Sequence, residues 1–186
     1  RLLGKDISLD MKDGKIAVNS DFETSEPGVY AIGDVAARTQ LAHVAAAQGT
    51  YVVEKIAGRP HSIKLEVVPN GMFVSLPIVP SCIYTDPEIA TVGITEEIAK
   101  TCGLKVRCGH FSMRDNGKSI ITGEEHGFIR LLFEAYSNTI VGAQMMCPRA
   151  TDMIGEIATA IANGLTAQEM SFAMRAQPTY NEGIGA

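Results

Sequence analysis

The chain has 186 residues, of which 46% are hydrophobic and 20% are charged, so the composition predicts a folded protein with a sizeable core. Its net charge of -5 comes without a cluster of Lys and Arg, which argues against nucleic-acid binding. No apolar run reaches the length of a transmembrane helix and no basic-then-apolar leader opens the chain, so we expect no membrane partner.

Turn signals dominate the start of the chain. Asp13-Gly14 is a strong hairpin turn and predicts a short strand over Ile16–Val18 on its far side. Residues 21–28 are polar and end in Pro27-Gly28, so they predict a loop that leads into the next apolar stretch.

That apolar stretch carries the first candidate site. Val29–Ile32 is β-prone and predicts a buried strand, which ends at Gly33 and Asp34. A carboxylate just past a strand points into the crevice where open α/β sheets hold ligands, so Asp34 could accept hydrogen bonds from a ribose or ribitol hydroxyl. Gly33 would let such a ligand approach the backbone closely. The alternative is that Asp34 caps the following turn.

A helix follows this site. The alanine-rich stretch Leu41–Ile56 predicts a buried helix that ends before Gly58. His43 stands at its start without a second ligand at helical spacing. We therefore interpret His43 as a helix-start residue rather than a metal ligand, and we expect no metal site.

The composition then changes and marks a domain boundary. Residues 58–80 are rich in Gly and Pro and contain Asn70-Gly71, so we expect one domain over residues 1–65 and a second over residues 66–186. The second domain alternates strand and helix patterns. The predicted elements are strands at Cys82–Thr85, Ile89–Gly93, Val106–Phe111, Phe128–Phe133 and Ile140–Met146, and helices after Thr95, over Thr151–Asn163 and after the Thr166–Glu169 capping box.

The predicted hairpin has one clearly apolar face. Along its first arm Ile129, Leu131 and Phe133 alternate with Phe128, Arg130 and Leu132, so the first three should face the core. Methionines recur at positions 145, 146, 153, 170 and 174. We interpret them as adaptable core residues in preference to a malleable interface.

The run Thr24–Ala36 resembles the second flavin-binding motif of the FAD-dependent pyridine nucleotide-disulfide oxidoreductases. Leu41-Ala42-His43, followed by Ala45 and Gln48-Gly49, is most similar to the dihydrolipoamide dehydrogenase branch. The resemblance implies that Gly33 and Asp34 contact the flavin ribitol. It also implies that the helix start, Gln40 to His43, lies near the pyrimidine end of the flavin. The free N–H groups and positive dipole end of a helix favour an electron-rich carbonyl oxygen there.

A second run, Pro80–Gly93, resembles the opening of the dimerisation domain of the same family. The fold class implied is α/β to α+β. The tail of an FAD-binding Rossmann-like domain would precede an antiparallel sheet with helices packed on one side. The resemblance also implies a homodimer, built by residues 76–186, that assembles its active sites across the two subunits.

The third run, Ala176–Glu182, resembles the C-terminal active-site motif of the family. There a His-Pro-Thr segment is followed three residues later by Glu, and the His shuttles protons to and from a dithiol. Gln177 stands at the His position and Glu182 at the Glu position, while Arg175 replaces a second His. A glutamine amide cannot take up a proton near neutral pH. An altered catalytic residue, a degenerate member, a relative with different chemistry and an ordinary turn remain open.

The cysteines do not supply the redox pair of the family. Cys82, Cys102, Cys108 and Cys147 form no Cys-x-x-Cys motif, which favours inert, buried thiols in a reducing cytoplasm over a zinc site or a disulfide framework. Cys102 and Cys108 also differ from the redox pair in spacing.

We therefore expect a C-terminal fragment of a flavoprotein oxidoreductase. No Gly-x-Gly-x-x-Gly fingerprint for FAD or NAD occurs in the sequence. The parent would pass electrons between NAD(H) and a dithiol or disulfide through FAD, with dihydrolipoamide as first choice of substrate and glutathione-like, mercuric or coenzyme A disulfide substrates as alternatives. The fragment alone should be inactive and bind FAD weakly or not at all. The other hypothesis is a dimerisation module without catalysis.

Overall fold

A computed structural model describes residues 8–37, 39–61, 66–67, 74–75 and 78–186. The chain divides into two compact units, Arg1–Pro77 and Ile78–Ala186. Much of the expected boundary region, at residues 62–65, 68–73 and 76–77, lies outside the described residues. No helix in the described part of the chain is long and apolar enough to cross a membrane.

The first unit contains the predicted hairpin and the predicted helix. Strands β1 (Met11–Lys12) and β2 (Lys15–Ile16) pair antiparallel around a turn in which Gly14 has φ 77°, a left-handed conformation that glycine adopts without strain. Helix α1 spans Ala42–Ile56 after the N-cap Leu41, so the predicted helix is confirmed. Its predicted burial is confirmed on one face only, since Val44, Gln48 and Val52 are buried while Val53 and Ile56 are 65% and 62% exposed. Two further two-residue strands, β3 (Glu66–Val67) and β4 (Val74–Ser75), pair antiparallel.

The strand predicted over Val29–Ile32 is wrong. Tyr30 forms an isolated antiparallel bridge with Glu23, and Val29 is 37% exposed. The loop of residues 22–24 supplies the hydrogen bonds, since the Ala31 N–H donates to the Phe22 carbonyl oxygen at 3.0 Å. The extended segment therefore pairs with its own preceding loop over too few residues to form a ladder.

The second unit is built on a five-stranded antiparallel sheet. From one edge to the other its strands are β5 (Ser81–Ile83), β6 (Glu88–Gly93), β9 (Ile140–Cys147), β8 (Phe128–Glu134) and β7 (Val106–Ser112). Thr95 and the Thr166–Glu169 capping box are confirmed as N-terminal caps, whereas the short helix over Gly117–Thr122 was not predicted. The helices are α2 (Glu96–Thr101), α3 (Gly117–Thr122), α4 (Ala150–Ala162) and α5 (Ala167–Phe172).

The main core lies between this sheet and α4. Ile129 and Leu131 of β8 join Met153, Ile154 and Ile157 of α4 in one buried cluster, which confirms the apolar face predicted for the hairpin. Alternation along β8 sends Arg130 to the opposite face. There its guanidinium lies 3.0 Å from the Glu96 carboxylate of α2. The arrangement thus differs from the expected one-sided packing, because α2 lies against the other face of the sheet.

The methionines divide between core and surface. Met145, Met153 and Met170 are buried, which confirms the interpretation as core residues at these positions. Met174 is fully exposed, so that interpretation is wrong there. Met174 follows α5 in an irregular segment, where no element covers its side chain.

Candidate functional site

A tight turn holds the first candidate site. Gly33–Val35 forms one turn of 3-10 helix, and Gly33 has φ 66°. A Cβ atom at Gly33 would lie 3.0 Å from the Cβ atom of Ala45 in α1. Both the backbone conformation and the close approach of α1 therefore require glycine.

A buried glutamine fixes this turn to α1. The Gly33 N–H donates to Oε1 of Gln48 at 2.8 Å, and Gln48 is 2% exposed. In the sequence, Gln48 belongs to the motif that resembles the dihydrolipoamide dehydrogenase branch, and this structural role of its side chain was not predicted. An uncharged polar residue on the apolar face of a helix is the signal that would have found it, because buried polar groups need a partner.

The Asp34 side chain is exposed beside this turn. The Ala36 and Ala37 N–H groups bond to the Gly33 carbonyl oxygen at 3.0 and 2.7 Å, so the backbone closes the turn without an Asp34 cap. Lys15 of β2 donates from Nζ to the carbonyl oxygens of Asp34 and Ala37. Sequence reasoning missed Lys15, whose contacts hold the backbone while the Asp34 carboxylate faces solvent.

The start of α1 offers a positive helix end. The N-cap Leu41 provides no side-chain cap and the first turn contains no acidic residue. Gln40, Ala42 and His43 are exposed there. Helix N–H groups in this position favour an electron-rich oxygen. Together with the exposed Asp34 carboxylate, these residues fit a flavin, and the described part of the chain contains no His, Cys, Asp and Glu cluster suited to a metal.

The second candidate site is an open cleft in the second unit. Its volume is about 390 Å³, and Phe111, Asn116, Arg175, Gln177 and Glu182 are among its lining residues. The structure thus brings Gln177 and Glu182 to one cleft. Gln177 is exposed, and Glu182 accepts the Thr179 N–H through Oε2 at 3.0 Å.

A buried asparagine holds part of the backbone beside this cleft. Asn116 is 1% exposed and donates from Nδ2 to the carbonyl oxygens of Thr179 at 3.0 Å and Tyr180 at 3.4 Å. Its Oδ1 accepts the Ser119 N–H at 2.9 Å and caps α3. Sequence reasoning missed Asn116, although Asn116-Gly117 is typical of a helix N-cap.

The cleft can bind and orient a substrate. The Gln177 amide can donate and accept hydrogen bonds, but it neither gains nor loses a proton near neutral pH. Tyr180 donates to Glu124, and its burial raises the pKa of the Tyr180 hydroxyl, so this group stays protonated at neutral pH. Arg175 pairs with Glu156 at 2.6 Å and is 9% exposed.

The cysteines correct one expectation. Cys147 is buried and Cys82 half-buried, but Cys102 and Cys108 are exposed, so the prediction of buried thiols is wrong for those two. Burial, with the charge of Glu88, raises the pKa of the Cys147 thiol to about 12. All four thiols are free, and none of them lines the cleft of Gln177.

Comparison with known proteins identifies two family matches. The family of the pyridine nucleotide-disulphide oxidoreductase dimerisation domain matches residues 79–186, and the pyridine nucleotide-disulphide oxidoreductase family matches residues 1–49. Dihydrolipoyl dehydrogenase of Bacillus subtilis is 38% identical over 175 residues, which covers 94% of this chain and 35% of the relative. The enzyme of the same name from Chlorobaculum tepidum is 34% identical over 183 residues, covering 98% of this chain and 37% of the relative. The chain spans about a third of the length of these curated relatives.

Solved structures match both units. LpdA from Mycobacterium tuberculosis aligns with TM-score 0.81 and 25% identity, over 96% of this chain and 37% of that one. The HOCl-induced flavoprotein disulfide reductase RclA from Escherichia coli aligns with TM-score 0.80 and 17% identity, over 95% of this chain and 39% of that one. The second likeness concerns the fold alone.

The hydrogen bond at Gly33 predicts a stability effect. Gln48→Met keeps the side-chain length but leaves a buried N–H without its acceptor, so the free energy of unfolding should fall by about 1–3 kcal/mol. Denaturant unfolding and the exchange rate of the Gly33 amide measure this. The control is Thr50→Val, which removes an exposed bond to the Ala46 carbonyl oxygen and should cost less than about 0.5 kcal/mol. Equal losses in the two variants would contradict the assigned role of Gln48.

The thiol exposures predict selective labelling. At about pH 8 an aromatic disulfide reagent should modify Cys102 and Cys108 in the folded protein, because both thiols are exposed and the reagent can reach them. Cys147 should react only after denaturation, since its raised pKa and burial leave almost no accessible thiolate. Peptide mass spectrometry identifies the labelled residues. Rapid native labelling of Cys147 would show that the core around β9 opens readily.

Proposed function

The chain belongs to the pyridine nucleotide-disulphide oxidoreductase family, and we propose that it is the C-terminal part of a flavoprotein that passes electrons between NAD(H) and a dithiol or disulfide through FAD. The observation that carries the proposal is that similarity to dihydrolipoyl dehydrogenases extends over 94% of the chain, and that the family matches at residues 1–49 and 79–186 include both candidate sites. In this proposal residues 1–65 complete the FAD-binding domain and residues 66–186 form the dimerisation domain.

The proposed flavin contacts come from the first unit. Asp34 would accept hydrogen bonds from ribitol hydroxyls, beside Gly33. The uncapped start of α1, at Gln40 to His43, would meet an electron-rich edge of the ring. FAD, when bound, supplies the two-electron redox chemistry of the protein. The residues of this chain bind and orient it, and Gln48 and Lys15 keep the turn in place.

The proposed substrate site is the cleft of Gln177 and Glu182. Dihydrolipoamide is our first choice of substrate because the relatives at 34–38% identity are dihydrolipoyl dehydrogenases. Gln177 would contact the substrate by hydrogen bonds. Glu182 would accept a hydrogen bond from a side-chain N–H of the residue at position 177. Since Gln177 cannot take a proton, turnover of a dithiol should be slow, which keeps other disulfides as alternative substrates. We further propose a homodimer located in the cytoplasm.

The intact protein that carries this chain tests the proposal. The purified protein should show flavin absorbance, should oxidise NADH with lipoamide or another disulfide as acceptor, and should sediment as a dimer. Residues 1–186 alone should retain little flavin, because the dinucleotide fingerprints lie outside this sequence. An intact protein without flavin that still dimerises would support instead a dimerisation module without catalysis.

Position 177 provides a sharper prediction. Gln177→His should raise dihydrolipoamide turnover by about 10²-fold or more, because an imidazole oriented by Glu182 can accept the thiol proton. Transfer from NADH to an artificial acceptor does not involve the dithiol and should change little. The ratio of the two rates at equal flavin content is the measurement. If His leaves both rates unchanged in a dimeric, flavin-loaded protein, then either residue 177 does not occupy the catalytic position of the family motif or the natural substrate is not a dithiol.

A further inference from the structure

One carboxylate holds both flanks of the segment that carries Gln177. Glu156 of α4 receives the Arg175 guanidinium on Oε1, where Nη2 lies 2.6 Å away. Its other oxygen, Oε2, accepts the Asn181 side-chain amide from Nδ2 at 3.0 Å. Arg175 precedes Gln177 by two residues and Asn181 follows it by four. The two ends of the segment are therefore joined through Glu156.

Arg175 fixes the first end to the helix before it. Its Nη1 donates to the carbonyl oxygens of Ala173 at 3.0 Å and Met170 at 3.2 Å, which are among the last acceptors of α5. The side chain is 9% exposed, so its charge needs a partner close by. Glu156 supplies this partner. Removal of the Glu156 carboxylate would leave a nearly buried guanidinium bonded to the Met170 and Ala173 carbonyl oxygens but without a counter-charge, which weakens the hold on the segment.

Asn181 fixes the second end next to Glu182. Both residues belong to the 3-10 turn of Tyr180–Ile184, whose capping box joins the Glu182 carboxylate to the Thr179 N–H. The hydrogen bond from Asn181 to Glu156 thus positions the turn from which the Glu182 side chain reaches the cleft. The distance between residue 177 and Glu182 depends on both ends together.

The fold itself does not depend on this carboxylate. α4 is anchored in the core by Ile154 and Ile157, which are 2% and 0% exposed. The Glu156 side chain lies on another face of the helix and is 32% exposed. Within the described residues, its side-chain hydrogen bonds reach the segment after α5 and the turn that follows.

We propose that Glu156 is the positioning residue of the Gln177 and Glu182 site, and that it sets the geometry of this pair by clamping Arg175 and Asn181. This inference rests on the proposed function, because the segment takes part in catalysis only if the proposed dithiol binds there. Glu156 itself does not contact the substrate. It acts through the two side chains that it holds.

The experiment uses the intact flavoprotein in the Gln177→His background, where the paired residues are active. Glu156→Ala removes both acceptor oxygens. Glu156→Gln retains one acceptor oxygen and loses the charge, so it remains informative if the alanine variant does not fold. The control is Asp152→Asn on the same helix, whose ion pair with Arg149 is exposed at 68% and 70%.

Two readouts are taken for each variant. The first is amide hydrogen exchange of Thr179, whose N–H reports the capping box and requires no turnover. The second is the ratio of dihydrolipoamide turnover to artificial-acceptor turnover at equal flavin content. Glu156→Ala should accelerate exchange by about tenfold or more and lower the ratio by about 10- to 10²-fold. Glu156→Gln should shift both in the same direction by less, and Asp152→Asn should shift neither.

The outcomes separate the inference from the function. Unchanged exchange in Glu156→Ala overturns the inference, and so does faster exchange with an unchanged ratio, because position would then not matter to the reaction. Equal changes in Asp152→Asn also overturn it. If the Gln177→His protein does not act on any dithiol, the proposed function fails. The exchange rate still decides whether Glu156 holds the segment.

Discussion

The contact between α4 and the two strands β6 and β9 is the constraint on which the second unit depends. Small residues, Ala90 and Ala143, lie on the sheet at 0% exposure and allow the helix to approach closely. Ile157 of α4 belongs to the same buried cluster. Burial of such apolar surface is the dominant favourable term in folding, and it fixes the helix in position and rotation. The position and rotation of α4 in turn fix the directions in which its polar side chains point.

Two carboxylates join α4 to its surroundings. At the start of α4, Glu88 of β6 accepts the Thr151 N–H at 2.9 Å and so caps the helix from the sheet. One and a half turns later Glu156 points to the segment around Gln177. The hydrophobic contact sets the position of the helix, and the carboxylate transmits that position to an irregular segment which has no core of its own.

Residues whose role is local were predictable from the sequence. The period-2 pattern of β8, the cap at Thr95 and the capping box of Thr166 depend on neighbours within a few positions. The contacts that build the sites are not local, since Asn116 meets Thr179 across 63 positions and Lys15 meets Ala37 across 22. The Val29–Ile32 strand was wrong for the same reason, because an apolar pattern does not specify which backbone pairs with it.

Both candidate sites are held in the same way, by side chains that bond to the backbone. In the first unit Gln48 and Lys15 bond to the backbone of the turn, while the Asp34 carboxylate remains exposed. In the second unit Asn116 and Glu182 bond to the backbone, and Glu156 bonds to the flanks of the segment. None of these contacts uses the Gln177 amide. In the proposed site, Gln177→His would therefore change the proton chemistry at position 177 while these contacts still hold the backbone of the cleft.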